Sequence, residues 1–329
     1  MGKKMLLEFI IVAVATFLLS VVSERFMIPI LKSRKVGQKI LEIGPRWHKS
    51  KEGTPTMGGI CFIFAMIVVS AVALLIQFEG ALPFVFAMGL GLANALIGFV
   101  DDYTKLVKKQ NEGLLAWQKF ALQVVAAVLY LVAMEIWGGL DTSLHIPFTS
   151  FSVDLKFFYY LIAIILITGM SNSTNLTDGI DGLAATISLV VGCFFSLVAF
   201  FGVQQNRSLS LIGALLIGGM LGFLVYNFHP ARVFMGDTGS LFLGGILTGA
   251  AFAMGSPLVI LICGLMFVIE TASVMLQVSV FKLSGRKKRL FRMAPIHHHF
   301  EQCGWSEVKI VSVFGALTVV FCAIAWFAI

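Results

Sequence analysis

Long continuous apolar runs, separated by short polar segments, set the pattern of this chain. The runs lie at 5–28, 58–77, 82–100, 117–137, 154–171, 182–203, 209–226, 239–254, 257–281 and 308–329. Each is near the ~20 residues that an α-helix needs to cross a hydrocarbon core. The runs lack the strict alternation of a transmembrane barrel. They predict an all-α polytopic integral membrane protein of about ten transmembrane helices, read as one domain over 1–329. The fifth and eighth runs are among the shortest.

Composition agrees: 58% of the residues are hydrophobic and 12% charged, against about 25% charged in a soluble domain. Lys3-Lys4 ahead of the first run resembles a signal peptide, but there is no small-residue cleavage site and the run continues through Glu24-Arg25. It reads as an uncleaved first span. Ten spans place both termini on one side. Nearly all of the 24 Lys and Arg residues then fall on the other side; the termini's side holds only Lys3, Lys4, Lys156 and Arg207. The positive-inside rule puts the basic side in the cytoplasm and both termini outside. The net charge of +7 is therefore a topology signal, with no soluble basic domain for a nucleic acid. The five cysteines are scattered without a CxxC pair, which suggests neither a disulfide framework nor a zinc site. The outer connection 138–153 carries Gly-Gly, a Pro and partial alternation, as a small hairpin or amphipathic lid would.

The polar clusters all fall on the basic side. Residues 172–182, NSTNLTDGIDG, are turn chemistry. Asp178 and Asp181 share a face if that turn winds into the next helix; the plainer reading is a polar loop with a helix cap. Asp101 and Asp102 close the third span, with Lys105 one helical turn on. They form either an interfacial ion pair or a metal or acid–base carboxylate pair. Asp237 is placed to cap the eighth span, where a helix N-terminus suits phosphate and a carboxylate suits Mg²⁺; capping alone is the alternative. His297, His298 and His299 follow the basic run 286–289 and suit a diphosphate better than zinc, since adjacent imidazoles rarely ligate one metal. Topology and anionic lipid would by themselves explain the basic run. Lys51 and Thr56, in a Gly- and Pro-containing segment without Walker A order, could contact phosphate or base. Glu270 and Gln277 share a face inside the ninth span, either as a functional site or as an interhelical contact.

Taken together, KEGTPTMGG, DDYTK, NLTDGIDGLA, YNFHPARVFMGDTGS and APIHHHFE resemble the polyprenyl-phosphate N-acetylhexosamine-1-phosphate transferase superfamily, in family order over nearly the whole chain. APIHHHFE is similar to the phospho-N-acetylmuramoyl-pentapeptide branch. The resemblance implies a multi-pass protein of the bacterial inner membrane with a cytoplasmic active site. It implies Mg²⁺-dependent transfer of phospho-MurNAc-pentapeptide from UDP-MurNAc-pentapeptide to undecaprenyl phosphate, yielding lipid I and UMP. It also implies a homodimer. Carried over residue by residue, Asp237 is the Mg²⁺ ligand and Asp101 and Asp102 are catalytic, Asp101 as base for the lipid phosphate. His297, His298 and His299 hold the diphosphate or sugar, with His297 most critical. Phe234 stacks on uracil, and Lys51, Gly179, Ile180 and Asp181 line the nucleoside pocket. Asn175, Asp178 and Asn227 complete a polar wall, while Lys105 and Lys119 neutralise phosphate.

Two other readings stay open at this point. A sister transferase using UDP-GlcNAc would share the chemistry and differ in the His motif. A proton-coupled transporter would need polar residues near the midplane of several spans; only Glu270, Gln277 and a few small polar residues are there.

Overall fold

The computed structural model describes residues 2–33, 51, 53–75, 81–108, 113–202 and 205–329. The described chain is a helical bundle of α1 (Gly2–Ser33), α2 (Gly59–Leu75), α3 (Leu82–Lys108), α4 (Ala116–Ala133), α5 (Phe157–Thr177), α6 (Leu183–Phe201), α7 (Arg207–Asn227), α8 (Gly236–Ala253), α9 (Ile260–Cys263), α10 (Leu265–Leu283), α11 (Ile296–Gln302) and α12 (Glu307–Trp326). Among the described residues, eight helices are long and apolar enough to cross a membrane. They make the chain a polytopic helical membrane protein. Of the ten expected spans, the second is shorter, ending at Leu75; residues 76 and 77 of that run, and 203 of the sixth, lie outside the described residues. The eighth is 18 residues long but opens on Gly236-Asp237-Thr238-Gly239-Ser240, polar and small residues that leave little apolar length. The ninth is not one helix: a 3₁₀ turn at Pro257–Val259 and α9 meet α10 at Gly264.

α8 is the axis of the bundle. Every residue from Thr238 to Phe252 is buried, and α3, α5 and α2 pack along it. Helices in lipid gain nothing from hiding apolar surface from water, so they associate through close packing at small residues. A β-carbon on Gly59 would collide with the Gly239 backbone, and one on Gly98 with the Asp237 carbonyl. α2 and α3 are thus seated against the first turn of α8 by glycines, and that seating brings the ends of three helices together.

The stretch 172–182 corrects an expectation. It reads as a turn, yet α5 continues to Thr177. Its hydroxyls make the continuation affordable. Ser173 donates to the Gly169 carbonyl (2.8 Å), Thr174 to that of Met170 (3.1 Å) and Thr177 to that of Ser173 (2.7 Å). Such back-bonding satisfies polar side chains without breaking the helix. Asn172 links to Gln123 of α4 at 2.7 Å, and Ser173 to Thr271 of α10 at 2.8 Å. The turn proper is 178–182, ending on Gly182 at φ +79°. Asp178 and Asp181 therefore do not share a helical face.

At the other end of the bundle, β1 (Ser143–His145) pairs antiparallel with β2 (Ser152–Asp154), with Leu144 opposite Val153. The 138–153 segment thus contains the hairpin that its partial alternation suggests.

Gly59→Val tests the glycine seating. The substitution overpacks a helix crossing, which costs about 1–3 kcal/mol. The purified protein in detergent should unfold several degrees lower, read by intrinsic fluorescence on heating. An unchanged unfolding temperature would show that α2 is not seated this way.

Candidate active site

Most of the polar clusters of the chain meet at one end of the bundle, where α3, α5 and α7 end and α4, α6, α8 and α12 begin. Two charged clusters form there.

The first surrounds the start of α8. Asp102, from α3, accepts from the Thr238 backbone N–H (2.9 Å), the Thr238 hydroxyl (2.7 Å) and the Asp237 N–H (3.2 Å). It caps a helix to which it does not belong. This corrects the expectation for Asp237. The N-cap position is Met235, and Asp237 sits inside the first turn with its carboxylate free for other groups. Asp237 Oδ2 lies 2.7 Å from Lys119 Nζ and 3.0 Å from Lys105 Nζ, and its Oδ1 accepts from Asn175 at 2.9 Å. Asn175 also donates to Ser240 at 2.9 Å. Lys105 pairs with Asp101 at 2.6 Å across one helical turn, as the spacing predicts. Asp101 accepts from Leu114 N–H at 2.9 Å.

Asp101, Asp102 and Asp237 each offer a carboxylate oxygen, all within 4.8 Å of one another. Hard oxygen donors in this arrangement fit Mg²⁺, which takes one or two carboxylates and leaves its other positions to water and substrate phosphate. Two lysines set against three carboxylates leave room for further positive charge. Asp178, at the head of the adjacent turn, is held well above the usual carboxylate range, chiefly by desolvation and then by the charges of Asp237, Asp102 and Asp181.

The second cluster joins distant parts of the chain. Lys51 Nζ lies 2.7 Å from Asp181 Oδ1 and 2.6 Å from Glu307 Oε2. Asp181 also faces His229 Nδ1 at 3.0 Å and accepts from Ala231 N–H at 3.0 Å. Glu307 sits in the first turn of α12, next to the Ser306 cap. These groups line a cavity of about 640 Å³, walled further by Pro230, Glu301 and Trp305. Asp181, His229 and Glu307 also stand close enough to share an ion, but the Lys51 ammonium already lies between the two carboxylates.

The remaining expected residues sit around these clusters. Ile180 is buried beneath the turn. Asn227 accepts from Gly182 N–H (3.0 Å) and donates to the Val233 carbonyl (2.9 Å), bracing the turn against the end of α7. Phe234 is pinned by its backbone between Pro55 and Gly58, at 2.8 Å on each side, and the Thr56 hydroxyl lies beside Gly236. The His triplet forms the short helix α11, so its three rings point in different directions. His297 is fully buried against Glu270 at 3.0 Å. His298 faces Glu301 at 2.6 Å, and His299 accepts from Arg292 N–H at 3.1 Å. Gln277 accepts from Leu290 and Phe291 N–H at 3.0 and 2.9 Å, fixing the basic loop to α10. Sequence reasoning passed over Thr238, Ser240, His229 and Glu307. The first three lie in the YNFHPARVFMGDTGS motif, and Glu307 gives no signal beyond an acid at a helix start.

Apolar helices thus converge on a carboxylate–lysine cluster at a helix N-terminus, an arrangement suited to a divalent cation and anionic groups at a membrane surface. Residues 84–255 match the Glycosyl transferase family 4 profile. Residues 51–63 match phospho-N-acetylmuramoyl-pentapeptide-transferase signature 1. The chain is 45% identical over 293 residues to the phospho-N-acetylmuramoyl-pentapeptide-transferase of Staphylococcus aureus (strain bovine RF122 / ET3-1), covering 88% of this chain and 90% of the relative. It is 41% identical over 306 residues to that of Staphylococcus carnosus (strain TM300), covering 92% and 94%. The chain belongs to the phospho-N-acetylmuramoyl-pentapeptide-transferase family.

Asp102→Ala tests the cross-helix cap. Loss of a capping side chain costs about 1 kcal/mol. The amides of Asp237 and Thr238 should exchange hydrogen faster while the middle of α8 stays protected. Unchanged protection at 237–238 would show that Asp102 does not hold the helix start.

Proposed function

We propose that the chain transfers phospho-MurNAc-pentapeptide from UDP-MurNAc-pentapeptide to undecaprenyl phosphate, giving lipid I and UMP, at the cytoplasmic face of a bacterial inner membrane. The observation that carries the reading is the meeting of Asp101, Asp102, Asp237, Lys105 and Lys119 at the first turn of α8, in a chain of this family. The ten-run reading assigns nearly all Lys and Arg to the side that carries these residues, and that bias supports the cytoplasmic assignment.

In the reaction an oxygen of the lipid phosphate bonds to the β-phosphorus of the nucleotide sugar as the bond from that phosphorus to the UMP oxygen breaks. Such transfer needs positioning and charge neutralisation more than covalent help from the protein. Asp237, with Asp101 and Asp102 beside it, would hold Mg²⁺, which when bound neutralises diphosphate charge. Lys105 and Lys119 already share the Asp237 oxygen; they turn to phosphate oxygens as these arrive. Asp101 is the base toward the lipid phosphate. Asp102 keeps the α8 amides and Asp237 in register. The Lys51–Asp181 cavity takes the nucleoside, with Phe234 alongside, and α11 with its histidines takes the diphosphate-sugar. The apolar outer faces of the helices leave the isoprenoid tail in lipid, so both substrates reach one site from different phases.

The test is UMP release by the purified protein in detergent with undecaprenyl phosphate and Mg²⁺. UDP-MurNAc-pentapeptide should turn over and UDP-GlcNAc should not. Asp237→Ala should lower turnover by about 100-fold or more, and chelation should stop the reaction. Turnover of UDP-GlcNAc instead would move the chain to the sister branch. No UMP from either sugar, in a folded sample, would contradict the transferase reading.

A further inference from the structure

Glu270 pairs with His297, and the proposed chemistry gives Glu270 no role. Both side chains are fully buried, Glu270 within the membrane-length helix α10 and His297 at the start of α11. Their contact is a single one, Nδ1 to Oε2 at 3.0 Å. A carboxylate in a membrane helix is costly and persists where it has a task. Among the described residues, each partner also keeps an atom without a hydrogen bond, Oε1 on Glu270 and Nε2 on His297. An orphaned buried polar atom costs about 1–3 kcal/mol, so a pair with two orphans is a poor choice for stability alone.

The direction of the free nitrogen is informative. A β-carbon on Gly179 would collide with His297 Nε2. Nε2 therefore lies directly against the 178–182 turn, which carries Asp178 towards the Asp237 cluster and Asp181 into the Lys51 cavity. A carboxylate can only accept, so it holds the Nδ1–H and with it the plane of the ring. The His298 ring packs against that of His297, with centroids 4.2 Å apart and planes tilted by 59°.

We propose that Glu270 is a positioning residue for the transfer reaction: it fixes His297 through Nδ1, so that Nε2 is presented at the Gly179 turn between the two charged clusters. This rests on the proposed transferase function and names a residue on which that site depends from within the membrane. Glu270 touches no substrate; it acts through His297.

Two replacements of similar size separate positioning from packing. Gln keeps an oxygen that accepts from Nδ1–H. Met keeps the volume, is a better apolar filler for a membrane helix, and removes the acceptor. In the UMP-release assay Glu270→Met should lower kcat by about 10- to 100-fold with KM for the nucleotide sugar changed less than about threefold. Its unfolding temperature should be held or raised. Glu270→Gln should keep about a third or more of wild-type kcat. On a His297→Ala background, Glu270→Met should cost nothing further, because the group it acts through is gone. The proposal is overturned if Glu270→Met turns over at the wild-type rate, if Glu270→Gln is as slow as Glu270→Met, or if the two losses multiply in the double variant. Wild-type protein that releases no UMP would overturn the transferase reading itself, a result independent of any Glu270 variant.

Discussion

Three carboxylates gather where α3 runs past the start of α8, and the site depends on how their charge is balanced. Asp102 spends its oxygens on α8 backbone amides and a hydroxyl. Asp101 and Asp237 are met by Lys105 and Lys119. Removing one partner of a fully buried pair costs about 3–5 kcal/mol. Here the cost is smaller, because Lys105 is 29% exposed and Asp237 17%. Partly solvated lysines can leave a carboxylate for an incoming anion, which sealed ones could not do.

The fold serves that cluster. Glycines at 59 and 98 bring α2 and α3 against the first turn of α8, and the hydroxyls of α5 let a polar helix run to the same level. Asn175 then reaches Asp237 from α5 while the turn beyond it carries Asp178 and Asp181. Lys51 ties that turn to α12 through Glu307. Four parts of the chain far apart in sequence thus depend on one short turn, and Gly179 within it is hemmed in by His297.

Much of this was legible in the sequence. Continuous apolar runs specify membrane helices because the hydrocarbon core admits little else. The parity of the polar segments placed the candidate residues at one end, and the Asp101–Lys105 pair followed from helical spacing. What was not legible depends on tertiary contacts. The run 172–177 has turn composition, and only the helix carbonyls that receive its hydroxyls make it helical. Asp237 reads as a cap because Asp102, 135 residues away, is invisible as one. Glu270 and His297 are separated by 27 positions, and no local rule pairs them. Glu307 carries no motif and joins the site through Lys51 and through the Asp181 N–H, which donates to it at 3.0 Å.

The central claim is that the Asp101–Asp102–Asp237 cluster, rather than the Asp181–His229–Glu307 group, is where a divalent cation and the diphosphate meet. Anomalous diffraction from crystals of the full chain grown with Mn²⁺ and UMP tests it directly. A single Mn²⁺ peak among Asp101, Asp102 and Asp237, absent in Asp237→Ala, is the predicted result. A peak between Asp181, His229 and Glu307, with none beside Asp237, would contradict the account.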